Sequence, residues 1–270
     1  MKRLLVFATV ALILVGCATN PVTGRKQFIM VSESEAIAAS KQAYAAELAP
    51  LAKQGKVDNN PAMTKRVHEI TSRLIAQAIK YRPETAKWEW SVKVIDDPNT
   101  VNAFCMAGGK MAIYSGLITK LNASDDEIAN VMGHEIGHAL SNHTAEKMSV
   151  AMASQLGAAA VGAAAGSRYG GVAMSGAAMA AAVAVQLPNS RTAESEADRI
   201  GIELAARAGY NPNAAVSLWQ KMAKAGGAST PEFLSTHPAP ATRIRELQAL
   251  APQMYPYYQD KTPRPTYPLR

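Results

Sequence analysis

Two histidines four residues apart with a glutamate beside the first, His134-Glu135-Ile136-Gly137-His138, constrain this chain more than any other segment. On a helix, positions i and i+4 share one face, so both imidazoles can offer a nitrogen to the same ion. Glu135 stands next to the first histidine, where its carboxylate reaches a metal-bound water. The surrounding residues favour such a helix. Ser124 followed by Glu127 is a capping box, and Val131, Met132, Ala139 and Leu140 carry no charge, so the spacing predicts a buried helix from Ser124 to about His143. A five-residue pattern also arises by chance, and the plain alternative is a structural histidine pair with no metal.

Histidine and carboxylate ligands favour zinc, with manganese or cobalt as substitutes. A zinc that works on water needs a third protein ligand and one open position. Glu135 would take a proton from the water that zinc activates, while the metal polarises the scissile carbonyl. The third histidine of the metzincin spacing would fall on Thr144, so that arrangement fails, and His143 misses it by one residue and reads as a capping or packing residue at the helix end. Glu194 is the better candidate, in the run Arg191-Thr192-Ala193-Glu194-Ser195-Glu196-Ala197-Asp198. Glu194 and Asp198 share a helix face, so one could bind the metal while the other accepts a hydrogen bond from a ligand imidazole. Glu196 points elsewhere and reads as solvated or salt-bridged.

The two runs together resemble the gluzincin family of HtpX and the CAAX prenyl proteases. The similarity is strongest to its peptidase lipoprotein branch, with LoiP-like and BepA-like members. Asn20-Pro21-Val22-Thr23-Gly24-Arg25, Asn102-Ala103-Phe104 and Tyr114-Ser115-Gly116-Leu117 resemble that branch as well. The resemblance spans roughly residues 20–250. It implies Glu194 as third zinc ligand, Asp198 as its supporting carboxylate, and a strand near Lys110–Tyr114 that pairs with an extended substrate backbone. His237, in Ser235-Thr236-His237-Pro238, sits where the family carries a histidine near the metal: it could stabilise the oxyanion or fill the open zinc position, against the plain reading of a loop histidine. Arg243 and Asn102 are the candidates for oxyanion or substrate support. His68 and Cys105 read as structural.

The N-terminus indicates the compartment. Met1-Lys2-Arg3 precedes an apolar run, Leu4–Val15, that suits a signal peptide and is short for a membrane span. Leu14-Val15-Gly16-Cys17 resembles the bacterial lipobox, which places a lipid on Cys17, and Ala18 does not signal inner-membrane retention, which points to a periplasm-facing lipoprotein at the outer membrane. Formal charge is +7. Loss of residues 1–16 removes Lys2 and Arg3. No dense basic block with interleaved aromatics occurs, which argues against a nucleic-acid partner.

The expected fold is α+β and mainly helical, a zincin-like domain over residues 32–252 with a small antiparallel sheet beside the histidine helix. Residues 17–31 are an irregular lipid-anchored lead. Helices are expected from Ser32 to Leu48, from Pro61 with Val67, Ile70, Leu74, Ile75 and Ile79 on one face, over Thr192–Arg207, from Asn211-Pro212, and over Ala241–Leu250. Strands are expected at Trp88–Ile95, Asn102–Met106 and Lys110–Tyr114. Residues 149–186, almost wholly Ala, Gly, Val, Met and Ser, fit a helical hairpin that is either a lid over the site or a membrane-penetrating pair; the scarcity of leucine and phenylalanine favours the lid. Residues 253–270 are an irregular tail.

These readings lead to a zinc endopeptidase that cuts unfolded or misassembled cell-envelope proteins, a role in protein quality control. The alternative is a chaperone-like factor for the outer-membrane assembly machinery with latent or secondary protease activity.

Overall fold

The helix that carries the histidine pair is the axis of the structure, a computed structural model that describes residues 17–164, 175–186, 189–225, 232–238 and 240–269. The signal-peptide reading, the lipobox residues before Cys17 and residues 165–174 of the Ala/Gly-rich segment lie outside the described residues. In chain order the elements are β1 (Cys17–Thr19), β2 (Lys26–Phe28), α1 (Glu33–Lys53), α2 (Pro61–Tyr81), a 3-10 turn (Pro83–Lys87), β3 (Ser91–Ile95), β4 (Ala103–Met106), β5 (Lys110–Tyr114) and α3 (Ser115–Lys120). They continue with α4 (Asp125–Leu140), α5 (His143–Ala164), α6 (Gly176–Ala181), a π-type turn (Ala182–Gln186), α7 (Arg191–Arg207), α8 (Asn213–Ala225), α9 (Glu232–Thr236) and α10 (Pro240–Gln259).

The capping box opens α4 as its residues dictate. Glu127 N donates to Ser124 Oγ at 3.2 Å, and Ser124 N donates to Glu127 Oε2 at 2.9 Å. From Glu127 to Leu140 the whole helix is buried, because α2, β4, α7 and α8 all pack on it. It stops earlier than expected. Asn142 adopts φ +55°, and His143 begins the separate helix α5.

The contact between α4 and α7 is backbone on backbone. A Cβ on Gly201 would stand 2.5 Å from His134 N and 2.8 Å from Gly133 C, and one on Gly133 would stand 2.7 Å from Gly201 O. This close approach brings the 134–138 and 194–198 runs together. Gly201→Ala is therefore expected to cost about 1–3 kcal/mol through forced separation of the helices. Denaturant unfolding checks it; an unchanged midpoint would contradict this account of the crossing.

The sheet is mixed, where an antiparallel one was expected. Its order is β3-β5-β4, with β4 antiparallel to β5 and β3 parallel to β5. A tight turn joins β4 to β5 through Gly108 and Gly109, both at positive φ, and a Cβ on Gly109 would meet the Trp90 ring at 2.3 Å. The longer connection from β3 carries the chain to the opposite side of β5, so β3 and β5 run the same way. This order corrects the substrate-pairing expectation as well. β5 is hydrogen-bonded on both sides and has no edge to offer a peptide. The edge beside α4 belongs to β4, whose four residues are all buried.

Three further expectations change. Residues 17–31 form a hairpin rather than an irregular lead: Asn20 Oδ1 accepts from Val22 N and Thr23 N, and Gly24 takes φ +74°, which closes the turn between β1 and β2. α1 runs past Leu48 to Lys53. The tail is helical to Gln259 despite Pro252 and Pro256, because Ala251 and Met254 are buried on the core side. Beyond it Tyr267 is paired with Ser72 of α2, its N donating to the Ser72 carbonyl at 3.0 Å.

The first arm of the Ala/Gly-rich hairpin begins at His143, six residues ahead of the expected start at Ser149, and Leu156 on it is exposed. On the second arm Met179, Ala180 and Val183 are buried against the β4 side of the sheet. No helix among the described residues is long and apolar enough to cross a membrane.

Candidate metal centre

α4 presents His134 and His138 on one face, α7 presents Glu194 and Asp198, and the segment after α9 presents His237. One donor atom from each of His134, His138, Glu194 and His237 lies within 4.8 Å of the others, and all four residues are buried. His134 Nε2 is 3.0 Å from His138 Nε2 and 3.6 Å from Glu194 Oε2, while His138 Nε2 is 3.4 Å from Glu194 Oε1.

The other nitrogens of the rings are committed. His134 Nδ1 lies 3.0 Å from Asp198 Oδ1 and donates to it. His138 Nδ1 is 2.8 Å from His143 Nδ1. His237 Nδ1 is 3.1 Å from the Phe233 carbonyl, and its ring stacks on Phe233 with centroids 4.1 Å apart. With their protons on Nδ1, the rings aim Nε2 lone pairs at one another. Both oxygens of Glu194 are buried and lack a hydrogen-bond partner. Burial holds His138 and His237 well below the usual histidine range, and the neighbouring His134 adds to this, so both rings stay neutral. Converging lone pairs with no proton between them repel unless a cation stands among them. Three nitrogens and a carboxylate suit zinc in number and type.

Arg243, on α10, supports this cluster from behind. Its Nε donates to Asp198 Oδ2 at 2.7 Å, its Nη1 pairs with Glu194, and its guanidinium carbon stands 3.7 Å from the Trp219 ring centroid. Burial would raise the Asp198 carboxyl, but the charge and hydrogen bonds of Arg243, with His134, bring it down to about 2. Arg243 Nη1 stands beside Glu194 without a hydrogen bond of its own. Asn102 is buried at the head of β4, its Oδ1 accepts from Ala103 N at 2.9 Å, and its carbonyl accepts from Tyr114 N, so these contacts serve the sheet.

Glu135 faces the cluster from α4. Its Oε1 is buried without a hydrogen bond and lies 3.4 Å from His237 Nε2. Burial pushes its carboxyl well above the ordinary range and the charge of Glu194 pushes it further, against the pull of Arg243. Glu135, His138 and His237 line a cavity of about 20 Å³, with Val183 and Ala184 of the π-type turn also in its wall. That is room for about one water.

Residues 61–251 match the sequence profile of peptidase family M48. The chain belongs to this family. Over 158 residues the M48 chain is 38% identical to the mitochondrial metalloendopeptidase OMA1 of Arabidopsis thaliana, a match covering 58% of this chain and 31% of the relative. It is 32% identical over 245 residues to the metalloendopeptidase OMA1 of Bos taurus, covering 87% and 46%. It is 32% identical over 208 residues to the putative beta-barrel assembly-enhancing protease of Vibrio cholerae, covering 74% and 41%. The chain thus spans less than half the length of each of these three relatives.

Two residues near the M48 site carry more than their sequence context shows. His143 is a buried partner of His138, and Glu196 accepts from His143 Nε2 at 2.9 Å. Burial would raise the Glu196 carboxyl, but bonds from His143, Arg25 and Thr23 hold it at about 2. The only sequence signal is position: His143 lies five residues past His138, and Glu196 lies inside the acidic run. Lys147, one turn beyond His143, lines the same cavity, and burial pulls its ammonium down to about 8, partly offset by Glu194 and Glu135. His68 contacts the Val92 carbonyl, away from the site, and Cys105 is a buried free thiol, both as expected.

Proposed function

We propose that this protein is a zinc-dependent endopeptidase of the cell envelope, with zinc held by His134, His138 and Glu194. The observation that carries the reading is the set of buried, converging lone pairs beside a carboxylate that has no hydrogen bond on Oε1. Bound there, zinc supplies Lewis acidity toward water and toward the scissile carbonyl. Glu135 Oε1 takes the proton of the attacking water and returns it to the leaving amine. Asp198 keeps His134 in the Nδ1–H form, and Arg243 keeps Asp198 and Glu194 in place. A substrate strand would dock along the edge of β4, beside α4.

The cavity has room for about one water, and on this reading the turn at Val183–Ala184 makes way for a peptide. His237 would act as a further block: zinc held by all four donors has no position left for water. His237→Ala is accordingly expected to raise the rate of casein cleavage. A rate that falls instead would assign His237 to the chemistry.

The substrates on this reading are unfolded or misassembled envelope proteins, and the lipid on Cys17 would hold the protein at the outer membrane, facing the periplasm. Support comes from the N-terminal sequence and from a relative named for beta-barrel assembly. The test offers the protein one outer-membrane barrel protein in folded and in denatured form. Cleavage confined to the denatured chain is the expected outcome; equal cleavage of both would remove the quality-control role. The closed four-donor site favours one other reading, an assembly factor whose proteolysis is latent. Complementation of an assembly defect by Glu135→Gln would select it.

A further inference from the structure

A continuous line of hydrogen bonds runs from the metal cluster to the N-terminal hairpin, and the hydrolytic reading makes no use of it. His138 Nδ1 lies 2.8 Å from His143 Nδ1, and His143 Nε2 lies 2.9 Å from Glu196 Oε2. Glu196 is gripped in turn from the β1–β2 hairpin. Arg25 Nε donates to its two oxygens at 3.0 and 3.1 Å, and Thr23 Oγ1 donates to Oε1 at 2.6 Å. The two terminal nitrogens of Arg25 bind Glu146 of α5 at 2.8 and 2.7 Å. The same hairpin grips the end of α4. Asn20 Nδ2 and Gln27 Nε2 both donate to the Ser141 carbonyl, at 3.2 and 2.9 Å.

With His143 neutral, the donors and acceptors along this line allow one proton arrangement. An ionised carboxylate only accepts, so the nitrogen that His143 turns to Glu196 carries hydrogen. In a neutral imidazole the other nitrogen is then an acceptor, so the proton in the 2.8 Å contact belongs to His138 Nδ1. His138 Nε2 is left with its lone pair, and it is the atom that faces His134 and Glu194. The opposite tautomer would place two lone pairs against each other at the Nδ1 contact and a hydrogen where a metal ligand must be bare. His134 is oriented by Asp198. At His138 Nδ1 the contact is His143 rather than a carboxylate, and this second histidine carries the effect of Glu196 to it.

We infer that His143, Glu196 and Arg25 are positioning residues that fix the tautomer and orientation of His138, and that through them the N-terminal hairpin is part of the metal centre. This inference rests on His138 being a metal ligand, and it extends the reading from α4 and α7 to a segment outside the part of the chain that matches the family. Groups of this kind, one shell out from a ligand, set metal affinity by roughly 10–100-fold.

The test measures zinc affinity by competition with a chelator, together with the nitrogen-15 imidazole resonances of the metal-free protein. In the parent, His138 is expected as the Nδ1–H tautomer. In His143→Phe, zinc binding is expected to weaken by roughly 10–100-fold, with mixed tautomers at His138. Arg25→Gln is expected to move both readouts the same way by less. If His143→Phe does not fold, Glu196→Leu carries the test with the same expected direction. Parent-like affinity and a parent-like His138 tautomer in either folded variant would overturn the inference, and so would an Nε2–H tautomer in the parent. Neither readout needs turnover. A protein that binds zinc this way yet cuts nothing would sink the hydrolytic reading and leave the positioning role standing.

Discussion

Glu135→Gln is expected to lower the rate of protein cleavage by about 10²–10⁴-fold, the usual worth of a positioned general base. Zinc should be retained, because the four converging donors come from other residues. The substitution is close to isosteric. It removes the ability of the Glu135 side chain to accept a proton while leaving the packing of α4 intact. Turnover and zinc content are measured on the same sample. Loss of zinc together with rate would shift Glu135 from chemistry to metal retention, and an unchanged rate would remove it from the mechanism.

Arg243→Met is expected to give the largest loss of stability. The guanidinium is the shared counter-ion of Glu194 and Asp198, which face it from one side of α7 at under 5% exposure. Methionine fills a similar volume over Trp219 but leaves two buried carboxylates without that cation, a loss of about 3–5 kcal/mol when one partner of a buried pair is removed. The metal-free protein should show the full effect and the zinc-loaded protein less, since a bound cation neutralises Glu194. The pH dependence follows from Asp198. Its folded pKa of about 2 lies below the unfolded value of about 3.9, so its contribution is present above the unfolded value and lost as pH falls through the folded one. The gap between parent and variant should therefore narrow as pH falls below about 4. Urea unfolding across that range checks this; equal stability at neutral pH would contradict the counter-ion role.

The centre of this site is legible in the sequence because helical spacing alone puts His134 with His138 and Glu194 with Asp198. The contact that joins the two helices is not, since glycines such as Gly133 and Gly201 look alike until their backbones are seen to touch. His143 reads as an end-of-helix residue and Glu196 as solvated or salt-bridged, without their tie to His138, because Arg25 and Thr23, the partners on the hairpin, lie more than a hundred residues away in the chain. Arg243 is placed near the chemistry by the resemblance, but its pairing with Glu194 and Asp198 is not visible in the sequence, since position shows proximity and not which carboxylates face it. The strands are found within a few residues, but whether β3 runs parallel or antiparallel to β5 depends on the path of the connection, on which strand alternation is silent. The helix at 253–259 escapes a sequence reading because Pro252 and Pro256 argue against it locally, while burial of Ala251 and Met254 outweighs them.

The central claim is that these converging donors hold a zinc that cuts peptide bonds, and the most direct measurement is casein cleavage by the zinc-loaded protein before and after removal of the metal with 1,10-phenanthroline. Cleavage that stops with the metal and returns when zinc is added back, with no fragments at any stage from Glu135→Gln, is the expected result. Cleavage that continues unchanged in the metal-free protein would contradict it.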